Sequence, residues 1–507
     1  MSDSSQKLSV TEKLGYSLGD AAANFVFMTM VLFQANFYTD VMGIAAGIAG
    51  WLLLVPRMWD AFFDPIMGIM ADRTRTRWGR FRPWILFTAL PWGIVMYLAY
   101  RTPHGWSETS LIAYAFITNL LLMTLYSANN MPYAALGGVM TGDSYERTSL
   151  NAYRFVAVNL AQLIVTGFTL PLVAKFAASH GQGETARATG WEITMGIWAV
   201  VCVVCFLITF ASTKERLAPS SEKASSLKQD FADLFANGPW IVMALMTLIH
   251  FAIISLRGGA FYNYYHYYVD KTAMFDWLSS LGLTGSLVEG EAASGSLMEF
   301  LGWVARGDRA NLEGTNVADV GYSVIGVIEK IVFIVMILLS PALTARFGKK
   351  AVAVTGFTLM TVVSALWYLP QPTQIGWMIG LTVLGAIAYG PTIPVLWAMF
   401  ADVADYSEWK NSRTVTGIVF ATICFALKLG LSLGSFLMLQ LLVRYGYVAN
   451  QAQSGEALEG IRLISSFFPT FLFFVCTTLL VIYKINKRMT IEIADNLAAR
   501  RQQAATT

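Results

Sequence analysis

The sequence predicts an all-α integral membrane protein, with twelve transmembrane helices in two pseudo-symmetric six-helix bundles. Three observations predict it. Of 507 residues, 56% are hydrophobic and only 13% are charged, about half the charged share of a soluble domain. Mean hydropathy is +0.54, and about a dozen stretches reach the roughly 20 apolar residues that a bilayer span needs. The third is an internal echo: Asp72-Arg-Thr-Arg-Thr-Arg-Trp-Gly-Arg80 follows the second stretch, and Ala345-Arg-Phe-Gly-Lys-Lys350 follows the eighth.

The apolar runs lie near 22–42, 44–70, 83–102, 110–134, 152–178 and 190–213, then near 239–269, 321–342, 350–370, 375–401, 415–445 and 463–484. This gives an N-terminal bundle over 1–213, a central connector at 214–238, a C-terminal bundle over 239–484 and a tail over 485–507. The connector carries Lys214, Arg216, Lys223 and Lys228. Lysine and arginine concentrate in alternate loops: Arg73 to Arg82, Arg147, the connector, Arg346 to Lys350, Lys410 to Arg413, and the tail. By the positive-inside tendency, both termini are expected in the cytoplasm of a bacterial inner membrane. The opposite side holds a long loop at 270–322 with a net acidic balance. Its segments Phe275–Leu283 and Leu297–Ala305 read as amphipathic, suited either to a lid or to a packed cover over the bundle.

Several chemistries find no support. Cys202, Cys205, Cys424 and Cys476 all lie in apolar runs, where small lipophilic thiols are packing residues. The four histidines, His104, His180, His250 and His266, show no metal-ligand spacing. No phosphate-binding glycine loop is visible, and Met1 to Lys13 is too polar for a cleavable signal peptide. The expectations are no enzyme activity, no resident cofactor, no nucleic acid partner, and a monomer in contact with membrane lipids.

The informative segment is Arg57-Met-Trp-Asp60-Ala-Phe-Phe-Asp64-Pro65. A spacing of four puts both carboxylates on one helix face, with Arg57 nearby. Charges at bilayer depth are costly, and ionisable residues there mark ion or proton pathways. Duplicated six-helix carriers bind their cargo near the midplane between the repeats.

These residues resemble the glycoside–pentoside–hexuronide:cation symporter family, the melibiose-permease group of the major facilitator superfamily. The resemblance rests on Gly15-Tyr-Ser-Leu-Gly-Asp20, Phe37-Tyr-Thr-Asp40, Arg57 through Asp64-Pro65, and Asp72 through Arg82-Pro83. Pro132-Tyr133, Glu146-Arg147 with Arg154, Asp402-Val-Ala-Asp405-Tyr406 and Lys428 continue it. It implies a sugar, glycoside or uronide carried by H⁺ or Na⁺ symport. Asp60 and Asp64, joined by Asn130, are then the expected cation site, with Na⁺ as the candidate metal. Asp20, Arg57, Asn130, Tyr133, Arg154 and Lys428 are expected around the substrate.

Two departures matter. Phe63 and Asn130 stand where melibiose carriers of this family have an asparagine and an acidic residue. Ala134 and Ile393 replace tryptophans that stack on galactosides, so melibiose is not the expected substrate. A sparser oxygen cage beside an aromatic ring favours proton loading over Na⁺; Ser127 or Thr422 are candidates to complete it.

The seventh span adds Arg257-Gly-Gly-Ala-Phe-Tyr262-Asn-Tyr-Tyr-His266-Tyr267-Tyr268. Tyrosine offers an apolar face and a hydroxyl to a sugar ring, which makes Arg257 and Tyr262 further substrate candidates; Tyr267 and Tyr268 also suit an interfacial belt. Four cationic side chains, Arg57, Arg154, Arg257 and Lys428, suit an acidic glycoside. Asp72, Arg73, Asp402 and Asp405 are expected to gate the inner side. The alternatives are a lipid or lysophospholipid carrier of the same fold and, further off, an integral-membrane glycosyl or lipid transferase.

Overall fold

A computed structural model describes residues 7–141, 143–181, 183–216, 234–235, 237–285, 297–312, 314–411 and 416–506. Most of the connector, including Lys223 and Lys228, lies outside them, as do Arg413 and residues 286–296 of the long loop.

Helices stand at all twelve expected places. The first six are α1 (Val10–Leu32), α2 (Ala46–Arg73), α3 (Arg82–Ala99), α4 (Glu108–Met140), α5 (Ser144–Ala178) and α6 (Glu184–Ser212). Next come α7 (Gly238–Asn263), α8 (Val317–Phe347) and α9 (Lys349–Leu366). Each of the last three except α11 (Thr416–Arg444) is broken: α10 joins Ile375–Tyr389 to Thr392–Asn411, and α12 joins Gly455–Ser465 to Phe467–Ile482. Nine helices among the described residues are long and apolar enough to cross a membrane, or ten with α1 and its continuation Gln34–Val41 taken as one span bent by 58°. Of the twelve, α2 and α3 fall short of that measure. The first carries Arg57, Asp60 and Asp64; the second carries Arg82 and two prolines.

The chain forms two compact units that do not follow the two halves of the sequence. The first takes Met1–Ser221 together with Phe261–Val327 and Ser435–Leu458; the second takes Glu222–Ala260, Ile328–Gly434 and Glu459–Thr507. In the first, α1 packs on α5 and α6, α2 on α4, and α3 on both α4 and α6. In the second, α9 packs on α10 and on Phe467–Ile482, around Met243, Phe357, Val395, Ile423 and Phe473.

Helix starts and ends follow local chemistry. Ser9 and Glu12 form a reciprocal capping box that opens α1 at Val10, about three turns before the first apolar run. The tail folds as a helix, Lys487–Thr506, and the Lys487 ammonium donates to the Ala345 carbonyl near the end of α8 at 2.8 Å.

The described parts of the long loop pack on α5 and on one another. Asp270 caps its first helix, which runs Lys271–Ser280, four residues earlier than the apolar pattern suggested, and ends before Gly282 at φ +71. Leu297–Phe300 is a single turn, stopped by Gly302 at φ +77; Ala305 instead joins a two-residue parallel ladder with Thr284. The Trp303 indole donates to the Gly167 carbonyl at 2.8 Å, and Lys175 donates to the Phe300 carbonyl at 2.6 Å, which docks this segment on α5. Between the loop's own elements, the Arg309 guanidinium holds the Asp276 carboxyl below its usual range.

Candidate functional site

The two intramembrane carboxylates meet at one hydroxyl. Asp60, 4% exposed, and Asp64 sit one turn apart on α2, and the buried Ser127 on α4 faces them. The Ser127 hydroxyl lies in hydrogen-bond contact with Asp60 Oδ1 and at 2.7 Å from Asp64 Oδ1. A serine hydroxyl carries one proton, so it donates to one carboxylate at a time. Two carboxylates converging on one oxygen repel each other until a proton or cation lies between them. Ser127 is thus the anchor of the pair. Asn130 follows three residues later on α4, half-buried. On the same helix, Trp59 donates to Thr124 at 3.0 Å and stacks on Phe63.

Arg57 is buried on the same helix, and its terminal nitrogens make no hydrogen bond among the described residues. Its electrostatic neighbours are Tyr100, Asp60, Tyr38 and Tyr126. Tyr126 also lies within electrostatic reach of Asp20, Asp60 and Asp64. Sequence reasoning missed it, although the run Tyr126-Ser127-Ala-Asn-Asn130 is a polar interruption of α4 that pointed to both.

The second cluster is built on α1, α4 and α5. Arg154 donates from Nε to Asp20 at 2.5 Å. Asn24, one turn after Asp20, receives a hydrogen bond from Gln162 at 3.0 Å. Tyr133 and Tyr16 stack with centroids 4.6 Å apart and planes 12° from parallel, and the Tyr133 hydroxyl donates to the Tyr16 carbonyl at 2.7 Å. Gly19 makes this possible: a Cβ there would collide with the Tyr133 ring. The result is a charged pair and two amides in line, beside an aromatic wall.

Other expected residues lie elsewhere. Tyr262 is 2% exposed, and its hydroxyl accepts from Arg187 at 2.9 Å. Arg187 also holds Asp319 at 3.2 Å, and His266 contacts the same carboxylate at 2.9 Å. A neighbouring carboxylate, Asp40, accepts from Thr39 at 2.6 Å, Tyr447 at 2.8 Å and Tyr267 at 3.1 Å. These contacts tie α1, α6, α7, α8 and the segment after α11 together inside the first unit. Neither Arg187 nor Asp319 carried a distinguishing sequence signal.

Arg257 and Lys428 belong to the second unit, where the Arg257 guanidinium lies 5.8 Å from the Phe473 ring centroid. Asp72 and Arg73 are exposed at the end of α2. In the loop that follows, Glu215 accepts from the backbone N–H groups of Arg80, Phe81 and Arg82 at 2.9, 2.7 and 3.0 Å. Gly79, at φ +106, leaves room for that carboxylate. Asp402, in the second unit, pairs with Lys349 at 2.6 Å, and Asp405 is exposed. Thr422 donates to its own helix and receives the Trp240 indole.

Comparison with known proteins gives the family. The sequence pattern of MFS/sugar transport proteins matches residues 15–294 and 315–487. The chain is 33% identical over 470 residues to the inner membrane symporter YicJ of Escherichia coli (strain K12), covering 92% of this chain and 89% of the relative. It is 30% identical over 479 residues to the isoprimeverose transporter of Lactiplantibacillus pentosus, covering 94% and 89%. It is 27% identical to a glucuronide carrier protein homolog of Escherichia coli (strain K12), covering 98% and 97%. Among solved structures, the D-xylose-proton symporter matches in fold with a TM-score of 0.55 at 13% identity, over 91% of this chain and 96% of that one. A multi-pass chain with the major facilitator fold, this is a transporter of the sugar-symport kind and not an enzyme, and it belongs to the MFS/sugar transport protein family.

Proposed function

We propose that this chain takes up a sugar or glycoside through the bacterial inner membrane, driven by H⁺ in preference to Na⁺, with both termini in the cytoplasm. The observation that carries the coupling is Ser127 held between Asp60 and Asp64. A proton needs no further ligand there, whereas Na⁺ wants several oxygens, and Phe63 supplies none. Cation loading relieves the repulsion of the pair and lowers the cost of moving it between environments. Alternating access then follows as a population shift between states of different cation affinity.

For the cargo, Asp20, Asn24, Gln162 and Arg154 offer donors and acceptors to hydroxyls, and the Tyr16–Tyr133 stack offers an apolar face. The Arg154–Asp20 bond occupies these groups when no sugar does. Arg57 and Arg154 suit an acidic glycoside by bidentate recognition of a carboxylate. The glucuronide carrier homolog supports that reading by its name.

The test is uptake into proteoliposomes of neutral and acidic glycosides, with and without Na⁺, at two pH values. Accumulation that follows an imposed pH gradient and ignores Na⁺ is the expected result. Accumulation abolished without Na⁺ and indifferent to the pH gradient overturns the proton assignment. The absence of glycoside uptake under every condition overturns the cargo.

A further inference from the structure

His266 is held between two acceptors. Its Nδ1 lies 2.9 Å from the Tyr262 carbonyl and its Nε2 lies 2.9 Å from Asp319 Oδ1. A carbonyl oxygen never donates, and an ionised carboxylate only accepts. A neutral imidazole has one N–H, so it satisfies one of these contacts and leaves the other as two acceptors face to face. The arrangement closes only when the group holds one extra proton, on the ring or on Asp319. Arg187 decides between them. Its Nη1 and Nη2 donate to the two Asp319 oxygens at 3.3 and 3.2 Å, a forked pairing that favours the carboxylate, so the extra proton belongs on the ring.

The surroundings are assembled for this state. Asp319 is 3% exposed and His266 14% exposed at the side chain. The Tyr262 ring lies flat on the imidazole, with centroids 4.0 Å apart and planes 15° from parallel, in position to face a cation. Among the described residues, Asp319 on α8 and Tyr262 on its own helix contact the ring, Arg187 on α6 binds both of them, and Tyr322 on α8 meets the Tyr262 ring edge-on at 6.4 Å. Next to them, Asp40 in the Gln34–Val41 continuation of α1 is held by Tyr267 and Tyr447, and Asn450 bridges the Asp40 carbonyl to Glu184 at the start of α6. The triangle therefore joins the start of α6, the end of α7 and the start of α8, at the loop end opposite the N-terminus.

We propose that Arg187, Asp319 and His266 form a proton-binding site distinct from the Asp60–Asp64 pair, whose bound proton latches the ends of α6, α7 and α8 together. The sign follows from proton counting. The latched state binds one proton more than a state in which these helix ends part and His266 meets water as a neutral ring. Lowering the pH therefore favours the latch, and raising it releases the ends. The proton is the only ligand, and the site works whatever the cargo.

Two measurements on the full chain test it, and neither needs transport. The first is nitrogen NMR of the histidine side chains in the detergent-solubilised protein, with His266 assigned by loss of its signals in His266→Gln. Both ring nitrogens protonated at pH 6, with one proton lost on raising the pH, is the expected result; a neutral ring at pH 6 overturns the proposal. The second uses Ser323→Cys, a near-isosteric change at a fully buried position one turn beyond Asp319. Its rate of labelling by a maleimide, above the wild-type background and divided by the rate of the same variant unfolded in SDS at the same pH to remove the thiolate dependence, should rise severalfold between pH 6 and pH 8.5. In His266→Gln this normalised rate should be the same at both values. Equal normalised rates at both pH values with His266 intact, or an unchanged pH dependence of the normalised rate in His266→Gln, sink the latch.

Discussion

Two carboxylate sites in the first unit are built on opposite plans. Asp319 is met by a forked guanidinium and an imidazole, so its charge is balanced by donors the protein brings. Asp60 and Asp64 are brought to a single hydroxyl, which has one proton for two acceptors. A carboxylate pinned by a forked guanidinium fastens helices; two carboxylates that converge on one hydroxyl gain from a proton or cation placed between them. Burial alone does not separate them, since Asp60 and Asp319 are 4% and 2% exposed. The geometry of the shared contact does.

The largest effect expected from that contrast is at the shared hydroxyl pair. Asp64→Asn and Asp60→Asn should each reduce accumulation against a gradient by roughly tenfold or more, as loss of a coupling free energy between two ligands does. Binding of the sugar, read by thermal shift or calorimetry, should persist. Retained accumulation in both variants would remove these residues from coupling.

Removing Arg187 from the other site should act on stability instead. Arg187→Ala leaves Asp319 with His266 as its cation, at a cost of about 2 kcal/mol after discounting for the partial exposure of the arginine. The loss should be greater at pH 8 than at pH 6, because on the proposed latch the proton that lets His266 balance Asp319 is the one released on raising the pH. Melting of the solubilised protein at the two pH values reads this directly, and an equal loss at both would break the comparison.

Smaller changes sharpen it. Ser127→Ala removes a hydrogen bond to a charged group, about 1.5–3 kcal/mol in such cases, and should shift the pH dependence of uptake while leaving folding intact. Gly19→Ala drives a methyl into the Tyr133 ring and should cost about 1–3 kcal/mol, the usual range for overpacking. Its sugar affinity should fall more than its cation dependence, and a fall in both together would show that the aromatic wall and the carboxylate pair act as one.

The sequence carried the fold because twelve runs of apolar residues have few ways to satisfy their backbone in a bilayer, and helices are the way for chains of this kind. It also placed Asp60 and Asp64 together, since a spacing of four fixes both on one helix face wherever that helix packs. Residues that meet across helices were a different matter. Tyr262 and Tyr133 look alike in their strings of aromatic and apolar neighbours, yet one binds Arg187 and the other stacks on Tyr16. The role of Ser127 depends on the register of α4 against α2, and the Arg187–Asp319–His266 triangle depends on three helix ends arriving at one point. Local periodicity and cost of burial are properties of the chain and can be read from it. Donor-to-acceptor balance is a property of contacts between distant segments, and only the tertiary structure decides it.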